Sequence, residues 1–518
     1  MASGLLNFMM NSTKKLTISK FSLGTDVLWF IIIFAGILFI TSLIPLVPND
    51  FWWHLKVGEW IYLHHAIPTT NMYAWTIPVD TPYSYASWLG ELLLYIFYRW
   101  GGINLTIFIR TFLWGITLWL LGHETKRLSG SWRISALLVA FGFIMTLNNL
   151  QARPQMWSWL PFTIFLIYLN RYIDQQLNPK WLLLLPGIMI FWVNLHGAFI
   201  IGIALVVIYL GGEIIRIFLR TPDHLSKKEI LWLSFISLLT GLATLINPRF
   251  LNIFYYVVDL LTDKPSQQLV IEWQSPTPQS IPGVVFYLSI LLLIVFLSYS
   301  KHRLTPSTLL VTLAFLWMAW SGVRYVVWYA IIIIPILAKL SAQLPLKLPL
   351  LYAHKSWINI IIALLCSIPV ILVQPWFVDN FPLPDTYRTQ ILDDNSVGPL
   401  LSVDTPILAA NYLKAHPGGY FFNEMGYGSY LIWELPELGV FVDPRVELYS
   451  YEQWQDYLRI SSGIDYNRLL NEYGANRILL SKEIQPNLSK SLINNPLWQL
   501  EYEDQYSQIW ILLGNEDT

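Results

Sequence analysis

Apolar stretches of roughly 20 residues recur along this chain, and that recurrence limits its fold more than any other feature. Val27 to Val47 is the first. Others lie near 103–122, 134–150, 155–170, 181–195, 198–215, 229–246, 284–299, 306–321, 325–341 and 357–375. In hydrocarbon every backbone polar group must be satisfied internally, so such stretches read as helices. The expected fold class is mainly α, a polytopic membrane helix bundle of about eleven spans. Only 13% of residues are charged, against about a quarter in soluble proteins. A net charge of −1 supplies no basic field for nucleic acid. The single cysteine, Cys366, excludes an internal disulfide and a thiolate metal cluster. The stretch after "KFSLGTD" is too long for the apolar region of a cleaved signal peptide.

Lysine and arginine orient the spans. They collect in alternate connections: Lys14, Lys15 and Lys20; Lys126, Arg127 and Arg133; Arg171 and Lys180; Arg216, Arg220, Lys227 and Lys228; Lys301 and Arg303; Lys339, Lys347 and Lys355. These connections are expected to be cytoplasmic. The expected organisation is a cytoplasmic N-terminus at 1–26, a transmembrane domain at 27–375, a linker at 376–403 and an extracytoplasmic domain at 404–518. The last part turns polar, and "GYFFNE", "LGVFVDPRVEL", "ANRILLS", "WQLEYED" and "YSQIWILL" read as strands. "TPILAANYLKAH" reads as a helix capped by Thr405. A small α/β domain on the outer side of a cell membrane is the expectation.

The opposite connections break the charge rule. They carry Arg153 ("NNLQARPQ"), His196 ("VNLHGAF"), Arg249 ("INPRF") and Arg324 ("SGVRY"). Each alone reads as a helix cap or a side chain snorkelling to headgroups. Together, each beside an Asn, Pro or Gly, they favour a shared anionic ligand such as a phosphate or diphosphate. Arg110, two turns inside the second span, either faces a polar cavity or snorkels.

The segment "VPNDFWWHLKVGEW" follows the first span. As a short helix along the interface it places Asp50 and His54 one turn apart on one face, with Trp52, Trp53 and Trp60 at headgroup level. Asp50 can be a helix cap, a general base toward an acceptor hydroxyl or amine, or a ligand of a divalent cation. In the terminal domain, Asn423 and Glu424 follow one strand, and Asp443, Arg445 and Glu447 stand beside another. That second cluster reads equally as a ligand site or as a structural pair.

With these residues in view, the chain resembles the GT-C superfamily of polytopic glycosyltransferases. That group includes protein O-mannosyltransferases, oligosaccharyltransferases and the bacterial aminoarabinose transferase acting on lipid A. Within it, the chain is similar to a bacterial group sharing "D-x-WWHL-x-x-GEWI" (Asp50 to Ile61) and "WL-x-E" (Trp88 to Glu91). Further shared features are "RP", "NLHG", "NP", "EW-x-SP", an arginine before the penultimate span, and "FNE-x-x-x-GxYLIW" with "VFVDPRVELY". The resemblance implies transfer of a sugar from a polyprenyl-phosphate donor to a glycan, lipid or protein acceptor at the outer leaflet of the bilayer. It places the essential acidic residue of the first outer loop at Asp50. Many members have two adjacent acidic residues there, whereas Phe51 follows Asp50 here, so metal dependence is left open. Glu59, Glu91 and Glu272 are the nearest further acidic candidates, Glu91 reading equally as a cavity residue or the polar face of an interfacial helix and Glu272 lying in a Pro-rich loop able to fold over a site. A single displacement driven by Asp50 would invert the anomeric carbon. A ligase or polymerase of lipid-linked polysaccharide shares these requirements. A transporter would place ionisable residues at span centres, where this chain has few. A non-catalytic scaffold would have no need of Asp50 and the arginines.

Overall fold

The computed structural model describes residues 23–221, 224–301, 303–344, 356–377 and 400–514. The expected N-terminal segment and most of the expected linker lie outside the described residues.

The helices follow the apolar stretches. α1 (Thr25–Leu43) ends before Pro45, and α2 (Pro48–His64) starts with proline at its first position, where a missing N–H costs nothing. α3 (Trp88–Ser129) runs on far beyond the predicted second span, but it bends at Gly101 and Gly102. Gly102 has φ +60° and ψ −152°, a conformation that only glycine adopts freely. The bend separates a first arm, 88–100, from the expected span. α4 (Trp132–Met145), α5 (Met156–Ile173), α6 (Leu184–Leu195), α7 (Phe199–Phe218) and α8 (Lys227–Ala243) complete the first half of the bundle. A long connection carries α9 (Asn252–Thr262) and α10 (Lys264–Leu269), and α11 (Ile281–Tyr299), α12 (Pro306–Ser321), α13 (Val326–Ser341) and α14 (Ser356–Leu372) follow.

Every predicted apolar stretch falls on a helix, yet the span count is not confirmed. Among the described residues five helices are long and apolar enough to cross a membrane: Thr25–Leu43, Trp88–Ser129, Phe199–Phe218, Ile281–Tyr299 and Val323–Ser341. The others, such as α4 and α6, fall short of the roughly 20 residues a perpendicular crossing needs. α13 is the centre of the bundle, with nearly every side chain buried.

The C-terminal unit contains α15 (Ile407–Ala415), β1 (Phe421–Asn423), α16 (Met425–Glu434), α17 (Tyr451–Ser461), α18 (Tyr466–Tyr473), β2 (Arg477–Ser481), α19 (Pro486–Ile493), β3 (Trp498–Glu503) and β4 (Ser507–Leu512). Its sheet has the order β1-β2-β4-β3, with β1 and β2 parallel and the other pairings antiparallel. Four of the five expected strands are present. "LGVFVDPRVEL" is not a strand: only Val440 makes an isolated bridge, to Ala74. Its backbone is held instead by side chains, with Asn423 donating to the Val442 carbonyl and accepting from Phe441 N–H. The helix start also differs, since Pro406 rather than Thr405 is the N-cap of α15.

This unit sits on α2, which corrects the expectation of an interfacial helix. Trp52 and Trp53 are 2% and 7% exposed. Trp52 packs edge-on against Tyr430 at 5.1 Å, Tyr98 stands edge-on to Trp433 at 5.2 Å, and Ser429 Oγ accepts from Trp53 N–H. The Trp52 ring fills an interface with α16, while the Trp53 ring stacks on His54 at 3.6 Å.

Candidate active site

Close backbone approach builds the site. A Cβ on Gly58 would lie 2.1 Å from the Glu91 carbonyl oxygen, and one on Gly90 would lie 2.3 Å from the Leu195 carbonyl oxygen. Only glycine therefore lets α2 meet the first arm of α3, and lets that arm meet the end of α6. Trp88 Nε1–H donates to Asn194 Oδ1 at 2.9 Å, and Trp157 Nε1–H donates to the Gly90 carbonyl at 3.1 Å. Asp50, His54 and Gly58 follow one another at four-residue spacing on a single stripe of α2. The stripe carries His54 to Glu91: Nδ1 and Oε1 are 2.8 Å apart, with Glu91 only 1% exposed. The other Glu91 oxygen, Oε2, is buried without a hydrogen-bond partner.

Asp50 is not a cap, since Val47 holds that position. Its Oδ2 accepts from Arg153 Nη1 at 2.7 Å, and Arg153 Nη2 donates to Glu272 Oε2 at 2.7 Å. Burial opposes the charge on Arg153, but the two carboxylates outweigh it and hold its pKa above the ordinary value. The first turn of α2 and the connections before α5 and α11 thus meet at one guanidinium. Asn149 Nδ2–H donates to the Val323 carbonyl, and Val323 N–H donates to the Gln274 carbonyl. Those bonds place Arg324 over the Trp273 ring, 4.2 Å from its centroid. Among the described residues Arg324 has no hydrogen-bond or ion-pair partner, so its donors are uncommitted.

These side chains line a chamber of about 850 Å³. Asp50, His54, Arg153, His196, Glu272 and Arg324 are all on its wall. The C-terminal unit supplies Arg445 and Glu447. Arg445 is fully buried, paired with Asp443 at 2.7 Å and donating to Tyr85 Oη at 3.1 Å, while Tyr83 Oη–H donates to Glu447 Oε1 at 2.8 Å. Burial raises the Glu447 carboxyl above its usual range, beyond what its hydrogen bonds take back. The opposite wall is apolar, with Ile201 and Ala204 of α7 and Trp317 and Met318 of α12. Trp317 is 79% exposed, so the chamber reaches the apolar outside of the bundle.

Two of the expected cations are elsewhere. Arg110 is fully buried and donates from Nη2 to the carbonyls of Thr41 and Ile44, both at 2.7 Å. It closes the C-terminal end of α1, where orphan carbonyls and the helix dipole favour a cation. Arg249 donates to Ser84 Oγ at 2.9 Å and does not line the chamber. Neither is in the cationic cup expected from the sequence. Asn423 and Glu424 are buried too: Asn423 pins the 440–443 backbone, and Glu424 caps α16. Sequence reasoning did not single out Tyr83, Tyr256 or Trp317, which line the chamber but sit in no polar cluster. A divalent metal does not fit the donor set. Among the described residues no three His, Cys, Asp or Glu side chains are grouped to hold one, and the Arg153 fork already stands between Asp50 and Glu272.

The two histidines are oppositely set. Nδ1 of His196 accepts from Ala198 N–H at 3.2 Å and lies 3.1 Å from Ser158 Oγ, which itself accepts from Trp192 Nε1–H. Its proton therefore belongs on Nε2. Burial first, then the charges of Arg324 and Arg153, pushes the His196 pKa well below the ordinary value. His54 is lowered as well: burial outweighs the upward pull of Glu91, and Arg153 and Arg445 add to the lowering.

Bundle, chamber and attached α/β unit together describe a membrane protein with a polar site at one end of its helices. Solved structures found similar to this chain include membrane glycosyltransferases, each with a TM-score below 0.5. The oligosaccharyltransferase AglB of Archaeoglobus fulgidus, solved with an inhibitory peptide and a dolichol-phosphate, is 11% identical with a TM-score of 0.49, over 88% of this chain and 69% of that one. The mycobacterial arabinofuranosyltransferase AftD is 12% identical with a TM-score of 0.49, over 95% of this chain and 42% of that one. ArnT of Cupriavidus metallidurans, bound to undecaprenyl phosphate, is 12% identical with a TM-score of 0.41, over 94% of this chain and 98% of that one. No family model matches the sequence, and no curated protein does.

Proposed function

We propose that this protein is a membrane glycosyltransferase that moves a sugar from a polyprenyl-phosphate donor to an acceptor at the outer face of the cytoplasmic membrane. The observation that carries the reading is the two-sided chamber, with an uncommitted Arg324 on its polar wall and Ile201, Ala204 and Trp317 on a wall open to the bundle exterior. An amphiphile with an anionic head and an apolar tail matches both walls. Arg324 binds the phosphate, with the Nε2–H of His196 as a second donor. The aromatic side chains of Tyr83 and Tyr256 on the chamber wall offer contact surface for a sugar ring. Arg153 adds positive charge, while its fork keeps Asp50 and Glu272 together beside the reacting centre. The acceptor is a hydroxyl- or amine-bearing glycan, lipid or protein.

The test is transfer by purified protein in nanodiscs from a panel of radiolabelled undecaprenyl-phosphate sugars to total envelope acceptors. Transfer by the wild type that is strongly reduced in a folded Arg324→Ala variant supports the reading. A wild type that neither binds nor uses any donor refutes it.

A further inference from the structure

The proposed transfer needs a group to take the acceptor's proton, and we infer that this group is Nε2 of His54, positioned by Glu91, rather than the carboxylate of Asp50. The inference rests on the glycosyltransferase reading and names the base within it.

Asp50 balances the charge of the buried Arg153 guanidinium through Oδ2, so a proton taken at either of its oxygens, Oδ1 included, would neutralise that partner. His54 has no such obstacle. A carboxylate oxygen only accepts, so the 2.8 Å contact with Glu91 puts the ring proton on Nδ1 and leaves the Nε2 lone pair free on the chamber wall. His196, on the same wall, has its Nδ1 occupied and can only donate from Nε2. One imidazole is set to accept and the other to donate.

Glu91 explains why the base works in the transition state rather than before it. It is 1% exposed, and its Oε2 has no partner. A buried carboxylate with one hydrogen bond is poorly compensated. When His54 gains a proton, the neutral–anionic contact becomes an imidazolium–carboxylate pair, so stabilisation appears as charge develops. The groups acting on His54 are Glu91 from α3, Arg153 from the turn before α5, Arg445 from the C-terminal unit and His196, with Asp50 on its own helix. Burial and the two arginines keep the ring neutral, and so able to accept, near neutral pH.

The step balances without a co-reactant. The acceptor hydroxyl passes its proton to Nε2 of His54 while its oxygen forms a bond to the anomeric carbon. The bond from that carbon to the donor phosphate oxygen breaks, and its electron pair leaves on polyprenyl phosphate, facing Arg324 and His196. The proton then passes from His54 to solvent.

The experiment uses full-length protein in nanodiscs with the donor that the wild type accepts. It follows kcat against pH and, separately, binding of undecaprenyl phosphate. His54→Asn is expected to lose about 10²–10⁴-fold in kcat with undecaprenyl phosphate binding retained, and added imidazole is expected to restore part of the activity of His54→Ala. Wild-type kcat should fall on the acid side as His54 is protonated. Glu91→Gln removes a charge that raises the His54 pKa, so it should lower kcat and move that acid limb to lower pH, which a purely structural role would not do. Transfer surviving in His54→Asn, or an acid limb unmoved in Glu91→Gln, overturns the assignment but leaves the transferase reading intact. A wild type without donor binding or transfer overturns both.

Discussion

Arg153 and Asp50 meet at 2.7 Å although 103 positions separate them, and the second arm of the same guanidinium holds Glu272 at the same distance. A residue expected to grip a phosphate ties two carboxylates, the first turn of α2 and two connections into one wall. Arg153→Met should therefore cost stability as well as activity. Both carboxylates keep partial solvent, so the loss should be about 1–3 kcal/mol, below the 3–5 of a fully buried pair. Thermal unfolding in detergent measures it, and Arg153→Lys should recover little, because an ammonium lacks the two-armed fork.

Among the described residues Arg324 is a chamber cation without a hydrogen-bond or ion-pair partner. Its replacement by alanine should weaken donor binding about 10–100-fold, in line with a charge-assisted bond of about 1.5–3 kcal/mol. Fold stability should change little, since what is lost is cation–π contact with Trp273 and Tyr325. Donor titration at fixed acceptor reads the effect as a rise in KM larger than any fall in kcat.

Gly58 has no room for a methyl group, because its Cβ would stand 2.1 Å from the backbone oxygen of Glu91. Gly58→Ala should destabilise by about 1–3 kcal/mol as α2 and α3 separate. The same shift would part His54 from Glu91. Activity at a temperature where the variant is still folded should thus fall with donor binding largely kept.

Stability should depend on pH through the two histidines. Both have folded pKa values below the ordinary 6.5, mainly through burial. The unfolded chain then binds protons that the folded chain refuses. Their contribution is fully present above about pH 6.5 and is lost as pH falls toward the lower folded values. Tm measured in steps from pH 8 to pH 5 should hold and then decline, and His196→Asn should flatten the decline.

Arg110 serves the bundle rather than the chamber. Arg110→Met should leave two carbonyls at the end of α1 without their donor and lower Tm, costing about 1–3 kcal/mol. Transfer per folded molecule should stay near the wild-type level. A large fall in kcat with unchanged Tm would return Arg110 to the site.

What could be read in the chain was local. Apolar runs foretold where helices lie, because side-chain hydrophobicity sets which segments can be buried without regard to partners. Alternation and turn residues marked β1, β2, β3 and β4. The polar loops were visible as exceptions to an apolar background, and Asp50, His54, Arg153, His196, Glu272 and Arg324 do converge on one chamber.

The packing of those helices decided the rest. "DFWWHL" looked like an interfacial helix because tryptophans favour headgroups, and only the docking of α16 shows that Trp52 fills a protein interface and that Trp53 is buried beside His54. Arg110 and Arg249 carry the same charge as Arg324, yet one closes α1 and the other holds Ser84. Composition cannot distinguish them, since a guanidinium bonds whichever acceptor the fold brings within about 3 Å. The same holds for His54 and Glu91, 37 positions apart and brought together where Gly58 lets α2 press on the Glu91 backbone. The sequence by itself determined that these helices form and which loops carry charge. The tertiary structure alone decided which charges meet, because hydrogen bonds reach only a few ångströms and chain spacing does not measure that distance.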